Sequence, residues 1–260
     1  MTGIINFAQG EFVMIGAVSF AILREAHVSL VLAAAISIVG TILVGLIVER
    51  LAIAPAKRAS YTRLIILTIG VTITVEGIGL VFWGTDPHFA PPFTAGAPLR
   101  IAGAAILKQY LWVVGLTVIT MIALGYFLTS TVLGRAMRAV AMNRDAARAL
   151  GISPSRMSML AFMLAAGLGA LGGVVLAPLQ APDAGIGIEL GLMGFTAAVI
   201  GGLGSPAGAV VGGIAIGVLE AFVTGYLPSG YKDSVTFAVL FFVLLVRPQG
   251  LLRPVQEARV

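Results

Sequence analysis

The sequence predicts an all-α integral membrane protein, a polytopic bundle of about eight hydrophobic segments, and three observations support this. The 260 residues are 59% hydrophobic and 10% charged, whereas a soluble domain is roughly 45–50% apolar and about 25% charged. The mean hydropathy is +1.06. The apolar residues form continuous runs rather than alternating ones, which favours membrane helices over a membrane β-barrel.

Eight apolar runs are long enough, or nearly so, to cross about 30 Å of hydrocarbon. They cover residues 4–23, 28–48, 64–83, 110–130, 157–179, 189–204, 206–226 and 233–247. The sixth run is short and glycine-rich, and Gly204-Ser205-Pro206 closes it, so we expect a half-helix or a re-entrant element there. The proline-rich stretch 84–109 predicts an irregular extracytoplasmic cover.

The basic residues fix the expected orientation. If the runs alternate in direction, twelve of the sixteen basic residues lie on one side, and by the positive-inside rule that side is the cytoplasm. These are Arg50, Lys57, Arg58, Arg63, Arg135, Arg138, Arg144, Arg148, Arg156, Arg247, Arg253 and Arg259, while Arg24, Arg100, Lys108 and Lys232 fall on the other side. We expect one transmembrane domain over residues 1–260, with a cytoplasmic loop at about 131–156 and a cytoplasmic C-terminus.

Enzymatic and nucleic-acid functions find little support in this chain. The net charge of +5 is spread between apolar runs, not along a soluble basic stripe, so no nucleic-acid partner is expected. The chain has no cysteine, and His27 and His88 have no second ligand at metal-binding spacing, so neither a metal site nor a catalytic constellation is predicted.

Two glycine motifs resemble nucleotide-binding sites only in their letters. Residues 167–172 match GxGxxG and residues 202–207 match its GxGxxA variant, but neither lies between a strand and a helix of a soluble domain. No Gly-Lys pair occurs anywhere in the sequence, which excludes a Walker A loop. The chain is therefore not expected to be its own ATPase or to bind a cofactor.

Polar residues inside the apolar runs are the candidates for a translocation path or gate. Glu11, Glu76 and Glu220 interrupt apolar sequence, and a carboxylate at membrane depth is unfavourable unless it is paired, protonated or hydrated. Structural pairing is the alternative interpretation for each. Asn6 and Gln9 precede Glu11 closely, and this polar cluster predicts a broken or cavity-lining start to the first helix.

Glycines indicate how the last helices pack. Gly204, Gly208 and Gly212 recur every four residues, and Gly213 and Gly217 form a further pair of that spacing. If they share a helix face, the absence of Cβ atoms lets another backbone approach closely. Packing is the favoured interpretation, and a direct role in the pathway is the other.

The basic loop between the fourth and fifth runs predicts a short amphipathic helix from Gly134 to Leu150. At helical spacing one apolar face forms, made of Met137, Val140, Ala141, Ala147 and Leu150. Gly151 stands where a helix terminator is expected, and Pro154 prevents simple continuation. Binding to anionic lipid is the simplest function of such a helix, but it does not explain an Asp-Ala-Ala triplet followed by a glycine turn.

Three segments of the sequence resemble one family. Asp145-Ala146-Ala147-Arg-Ala-Leu-Gly151 has the EAA-xxx-G arrangement of the cytoplasmic coupling loop of ABC importer permeases, with Asp in place of Glu. Around it, "GRAMRAVAMNRDAARALGI" at 134–152 resembles the coupling segment of the branched-chain amino-acid permeases of the LivH/LivM type. "INFAQGEFVMIGA" at 5–17 and "FTAAVIGGLGSPAGAVVGG" at 195–213 resemble two further segments of that family, in the same order. The LivH-type subunit is the more similar one.

The resemblance implies a permease subunit of an ATP-driven importer for branched-chain or other hydrophobic amino acids in the bacterial inner membrane. It implies a second permease subunit, two cytoplasmic ATPase subunits that bind ATP and Mg²⁺, and a periplasmic substrate-binding protein. Carried onto this sequence, it assigns ATPase coupling to Arg144, Asp145, Ala146, Ala147, Arg148, Gly151 and Pro154.

The sequence departs from the family at its start, and other functions stay open. Family members carry another membrane helix before the "NFAHGE" segment, so we expect roughly one spanning segment of ~20 residues or more to be missing here. Within the family, urea, amides or another small polar solute are alternative substrates. Outside it, an ion-coupled secondary transporter would leave the Asp-Ala-Ala loop unexplained, and a purely structural membrane subunit is a third possibility.

Overall fold

The computed structural model describes residues 6–56, 60–101, 103–247 and 250. The chain divides into two compact units, Met1–Glu189 and Leu190–Val260. Four of the basic residues used to predict the orientation, Lys57, Arg58, Arg253 and Arg259, lie outside the described residues, as does the start of the predicted run 4–23.

Each of the eight predicted apolar runs contains one helix, and two shorter helices lie between the fourth and fifth runs. Unit 1 holds α1 (Gln9–Glu25), α2 (Leu30–Val48) with a π-helical turn (Glu49–Ile53), α3 (Tyr61–Trp83), α4 (Lys108–Ser130), α5 (Val132–Met142), α6 (Arg144–Ala149) and α7 (Pro154–Gln180). The unit boundary falls in the first turn of α8 (Ile186–Gly201), and unit 2 continues with α9 (Pro206–Tyr226), a 3₁₀ turn (Ser229–Tyr231) and α10 (Lys232–Val246).

Five helices of the described chain are long and apolar enough to cross a membrane. They are Leu30–Ile53, Thr62–Trp83, Lys108–Ser130, Pro154–Gln180 and Pro206–Tyr226. The remaining three, α1, α8 and α10, are shorter, with 17, 16 and 15 residues. The prediction of an all-α polytopic membrane protein is confirmed, and the sixth run is short, as its sequence indicated.

Unit 1 is built on a close pair of parallel helices, α1 and α7. Both Gly16 and Gly173 face a neighbouring backbone directly, because a Cβ added at Gly16 would lie 2.4 Å from the Cα of Ala170 and one at Gly173 would lie 2.1 Å from the carbonyl oxygen of Val13. Such contact leaves no space for a side chain between the helices.

Two clusters of buried side chains surround this helix pair. Phe12 of α1 packs with Phe162 and Ala166 of α7 and with residues at the end of α2. Farther along, Phe20 packs with Ala33 of α2 and with α7. The apolar core of unit 1 therefore follows α1 along its length.

The proline-rich stretch 84–109 is not irregular throughout, so that part of the prediction was wrong. It contains an antiparallel hairpin of β1 (Leu99–Ile101) and β2 (Ala104–Ile106), with Arg100 opposite Ala105. Gly103, with a φ of +87°, lies between the strands and supplies the left-handed backbone that a tight hairpin requires.

Gln109 attaches this loop to α7, and the sequence analysis did not single it out. Its side chain is buried; its Oε1 accepts the Phe93 N–H at 3.1 Å, and its Nε2 donates to the Val175 carbonyl at 2.8 Å. Pro178, inside α7, has no N–H to donate to the preceding turn. In a regular helix that N–H would reach the Val174 carbonyl, so Gln109 donates to the carbonyl next to the interruption of the helix ladder.

In unit 2, α8 and α9 approach each other at glycines. A Cβ added at Gly208 would lie 2.5 Å from the carbonyl oxygen of Gly201, and one at Gly212 would lie 2.1 Å from that of Ala197. The two backbones are in direct contact at these positions.

The other glycines of the predicted stripe are placed differently. The prediction that Gly204 shares the helix face was wrong, because Gly204 lies in the turn before α9 with a φ of +92°. A Cβ at Gly213 would make an ordinary 3.9 Å contact, and one at Gly217 would meet no atom within 4 Å. The close approach is thus confined to the first two turns of α9.

Candidate functional site

The predicted single amphipathic helix over 134–150 is broken in two at Asn143, so the helix prediction was wrong at this point. The Asn143 side chain accepts the backbone N–H groups of Asp145 and Ala146, both at 3.0 Å, and thereby caps the N-terminus of α6. Asparagine favours such local hydrogen bonds over a helix interior, which explains the break.

Only part of the predicted apolar face is buried. Met137, Val140 and Ala147 form a cluster with Met157 of α7, but Ala141, in α5, and Leu150, after α6, are exposed. Leu150 is 79% exposed and Met142 is 76% exposed. Two apolar side chains thus flank α6 without cover in the described chain.

Two of the three charged residues of α6, Asp145 and Arg148, are exposed. Arg148 Nη1 lies 3.6 Å from Asp145 Oδ1, and these two side chains are 70% and 93% exposed. Arg144 is half-buried, Ala146 is exposed and Ala147 is buried. Such an exposed ion pair adds little stability, so the pair leaves both charges accessible to a partner.

The turn after α6 is a Schellman motif. The Ile152 N–H donates to the Ala147 carbonyl and the Gly151 N–H to the Arg148 carbonyl, each at 3.0 Å, the pattern that closes many helices. Gly151 has a φ of +80°, as expected of a glycine terminator. Pro154 then occupies the first turn of α7, where its missing N–H is harmless, so α6 is joined to α7 by a short fixed turn.

The polar cluster before α1 forms the start of that helix. Asn6 Oδ1 accepts the Ala8 N–H at 3.2 Å, and the Gln9 amide donates to the Ala165 carbonyl at 2.9 Å. Gln9 therefore meets α7 near the middle of that helix, so α1 begins partway along α7, not beside its first residue. The broken or cavity-lining start of this helix stays a prediction, because residues 1–5 lie outside the described residues.

Glu11 is buried without a partner. Its side chain is 1% exposed, and neither carboxylate oxygen has a hydrogen-bond partner among the described residues. A Cβ added at Gly187, in the first turn of α8, would lie 2.8 Å from both carboxylate oxygens. The helix α1 meets α3 close by, because a Cβ added at Gly79 would lie 3.3 Å from the end of the Met14 side chain. Glu11 and Glu76 each precede these residues by three positions, so the two carboxylates lie on the helices that meet here.

Glu220 belongs to unit 2 and is paired. Lys232 Nζ lies 3.3 Å from Glu220 Oε2, and the Thr236 hydroxyl donates to Glu220 Oε1 at 3.3 Å. The Glu220 side chain is 16% exposed. The ion pair accounts for this carboxylate in the way that the structural alternative proposed.

Buried hydroxyl groups on α2 and α3 were missed by the sequence analysis. Ser37, Thr41, Thr68 and Thr72 are buried, and each donates its hydrogen to a carbonyl of its own helix. A serine or threonine every four residues in an apolar helix is the signal that would have found them. Their oxygens remain available only as acceptors.

An open apolar cleft lies between α1, α2 and α3. Its volume is about 1020 Å³, and its lining includes Ile15, Ser37, Thr41, Val75 and Gly79. Ile15 follows Glu11 by one helical turn, and Val75 precedes Glu76 directly. Neighbours of Glu11 and Glu76 in the chain thus line the cleft, whereas the two carboxylates themselves are not part of its lining.

At the other end of α1, Glu25 holds the loop that follows α3. Glu25 Oε1 accepts the Phe89 N–H at 2.7 Å, and Glu25 Oε2 lies 3.1 Å from His88 Nδ1. The Phe89 N–H is the main cause of a lowered pKa of Glu25. The loop is also joined to the segment after α7, because the His88 N–H donates to the Pro182 carbonyl.

Comparison with known proteins shows the family to which this chain is similar. The model of the family described as "Branched-chain amino acid transport system / permease component" matches residues 1–244. The high-affinity branched-chain amino acid transport system permease protein LivH of Salmonella typhimurium is 35% identical, over 98% of this chain and 88% of the relative. BraD of Pseudomonas aeruginosa, described in the same words, is 34% identical over 98% of this chain and 88% of its own length.

A further relative, whose description names another solute, is similar to only part of this chain. The nucleoside ABC transporter permease protein NupB of Lactococcus lactis is 29% identical over 135 residues, which are 49% of this chain and 37% of that protein. No solved structure matches. On the family match over residues 1–244 and the identity to LivH, the chain belongs to the branched-chain amino acid transport system permease family, and it is a multi-pass membrane protein.

Proposed function

We propose that this chain is the membrane subunit of an ATP-driven importer for branched-chain or other hydrophobic amino acids. The observation that carries the proposal is the exposed helix α6, which is capped by Asn143, closed by the Gly151 turn and joined directly to α7. A short helix with exposed charges and a fixed connection to a long membrane helix is suited to transmit motion from a soluble partner.

The partner in this proposal is a cytoplasmic ATPase, in which ATP and Mg²⁺ bind. Met142 and Leu150 are exposed apolar anchors on either side of α6, and such side chains dominate binding energy when they enter a partner's pocket. The arginines around them favour an acidic rim on that pocket. Closure of the ATPase would then move α6 and, through Pro154, α7.

The remaining partners and the location follow from the same proposal. A second permease subunit completes the membrane part, two ATPase subunits dock on the cytoplasmic side, and a periplasmic binding protein delivers the substrate. The loop 131–156 and the C-terminus face the cytoplasm of a bacterial inner membrane. Residues 1–260 act as one permease domain, in which Asn6, Gln9, Glu11 and Glu76 lie along or beside the path.

The coupling role is tested by replacing Gly151 with Leu in the reconstituted complex. A φ of +80° is strained for a residue with a Cβ, so the α6–α7 turn should distort and substrate-stimulated ATP hydrolysis should fall at least ~10-fold. Gly84→Leu is the matched control, because Gly84 has a φ of +77° and equally open space but lies at the end of α3. The protein should remain in the membrane in both cases.

A milder variant separates docking from backbone strain. Leu150 is 79% exposed, so Leu150→Asp should leave the fold intact and weaken capture of the ATPase subunit by the purified permease. Unchanged ATP hydrolysis and ATPase binding in both Gly151→Leu and Leu150→Asp would contradict the coupling role. Uptake that persists without any ATPase subunit would instead indicate a secondary transporter.

A nucleoside or another small polar solute is the second candidate substrate, favoured by the partial similarity to NupB. Calorimetric titration of the binding protein with leucine and with adenosine distinguishes the two. Binding of leucine supports the first proposal, and binding of adenosine alone replaces its substrate class.

A further inference from the structure

We propose that Glu11 and Glu76 form the site that receives the ammonium group of the transported amino acid. This inference rests on the proposed function and names the residues that recognise one end of its substrate. Glu11 is the most unusual polar group of the described chain, since it is 1% exposed, and neither of its oxygens has a partner.

A buried carboxylate without a partner is unfavourable and requires compensation. Among the described residues, no lysine, arginine or histidine forms an ion pair with Glu11 or Glu76. The like charge of Glu76 adds repulsion to the burial. Both effects disappear when a cationic group binds between or beside the two carboxylates.

The other polar groups near α1, α2 and α3 point to the same class of ligand. The buried hydroxyls on α2 and α3 each donate a hydrogen bond to a carbonyl of their own helix; they belong to Ser37, Thr41, Thr68 and Thr72. They and the carboxylates can only accept further hydrogen bonds. A primary ammonium group, which has three donors and no acceptor, is complementary to such a set.

The surroundings also suit the other parts of an aliphatic amino acid. Residues close to Glu11 and Glu76 in the chain line a cleft of about 1020 Å³ between α1, α2 and α3, and its lining is mainly aliphatic, with Ile15 and Val75 as examples. Glu11 lies in the first turn of α1, and Gly187 lies in the first turn of α8. The positive ends of two helices therefore lie beside Glu11, and they stabilise the negative charge that would receive the ammonium group.

The absence of a side chain at Gly187 leaves room for the Glu11 carboxylate. Any Cβ there would come within 2.8 Å of the Glu11 carboxylate, so alanine would displace the carboxylate from its present position. The site thus depends on a glycine that lies outside the glycine stripe of unit 2.

The first test measures ATP-dependent leucine uptake in proteoliposomes that contain the whole complex with its binding protein. Glu11→Gln keeps the shape and removes the charge, so it should lower the maximal uptake rate at least ~10-fold, with Glu11→Asp intermediate. Glu189→Gln is the matched control, because Glu189 follows Gly187 by two residues and is exposed; it should transport at the wild-type rate.

The second test probes the ammonium group directly and needs no ATP. L-Leucinamide keeps the ammonium group and lacks the carboxylate, whereas N-acetyl-L-leucine keeps the carboxylate and lacks the ammonium charge. L-Leucinamide should raise the Tm of the purified wild-type complex and should not raise that of Glu11→Gln or of Glu76→Gln. N-Acetyl-L-leucine should have a smaller effect on the wild type.

The outcomes separate this proposal from the proposed function. Wild-type uptake by both Glu11→Gln and Glu76→Gln overturns the ammonium site while leaving an ATP-driven importer in place. Equal stabilisation by the two leucine derivatives also overturns it. A wild-type complex without ATP-dependent uptake contradicts the proposed function instead, and the L-leucinamide shift then decides the ammonium site alone. If Glu11→Gln fails to reach the membrane, the partly exposed Glu76 supplies the variant that is measured.

Discussion

Glu11 and Glu220 are the same residue type in the same kind of apolar sequence, yet the structure treats them in opposite ways. Glu220 meets Lys232 and Thr236, which hold both of its oxygens, whereas Glu11 faces a glycine, and neither of its oxygens has a hydrogen-bond partner among the described residues. A pair offsets the cost of burying a carboxylate, whereas a buried carboxylate without a partner reduces stability unless a ligand compensates it. The comparison therefore separates a structural acid in unit 2 from a functional candidate in unit 1.

Removing the partner of Glu220 should make it resemble Glu11. Lys232→Met leaves a largely buried carboxylate without its cation, and we expect a loss of about 1–3 kcal/mol in the free energy of unfolding. Thermal unfolding of the purified protein in detergent measures this. The double variant Lys232→Met/Glu220→Gln should recover most of the loss, and a single variant as stable as wild type would show that the pair is not structural.

Neutralising each acid in turn should change stability in opposite directions. Glu220→Gln removes the ionic part of its pair and should cost about 0.5–1 kcal/mol. Glu11→Gln removes an uncompensated buried charge, so the Tm should stay the same or rise, even though transport falls. The Tm values of the two variants, measured in the same detergent as wild type, show whether neutralising each residue raises or lowers stability. A clear loss of stability in Glu11→Gln would assign that residue a structural role.

Glu25 offers a third, exposed carboxylate, and it predicts a pH dependence. Its pKa is lowered in the folded protein, first by the Phe89 N–H. Because the pKa is lower in the folded than in the unfolded protein, ionised Glu25 stabilises the folded state at neutral pH, above the unfolded pKa near 4. This stabilisation is lost as the pH falls through the folded pKa.

The pH dependence that comes from Glu25 is expected to be small and to appear in the loop that Glu25 holds. Proteolysis of the loop 84–98 should accelerate on acidification below about pH 4, and Glu25→Gln should cleave faster at neutral pH and depend less on pH. A cleavage rate of Glu25→Gln equal to that of wild type at neutral pH would show that Glu25 does not hold the loop.

The sequence was sufficient to predict the helices and the turn at Gly151, because each depends on local pattern. Continuous apolar runs define membrane helices, and a glycine after the last apolar residue of a helix indicates a terminator. Asn143 was overlooked, although asparagine before Asp and Ala is a known N-cap pattern. The hairpin at 99–106 was missed because its strands are three residues each.

The state of each carboxylate could not be predicted from the sequence. Whether Glu11 or Glu220 finds a cation depends on contacts between helices that are distant in the chain, such as Glu11 with Gly187. Likewise, Gln109 reaches Val175 across 66 positions. The positions of the expected coupling residues followed from one short segment, whereas the candidate ammonium site required the packing of α1, α3 and α8.

The parallel contact of α1 with α7 has a mechanical consequence. With backbone against backbone at Gly16 and Gly173, neither helix can slide past the other by a fraction of a turn without a clash, so the two must move as one rigid body. The joints then lie at its ends, at the turn after Asn6 and at Ala181, whose φ of +44° is rare for a residue other than glycine. If α6 transmits motion to α7 as proposed, α1 and the Glu11 near its start should move together with α7.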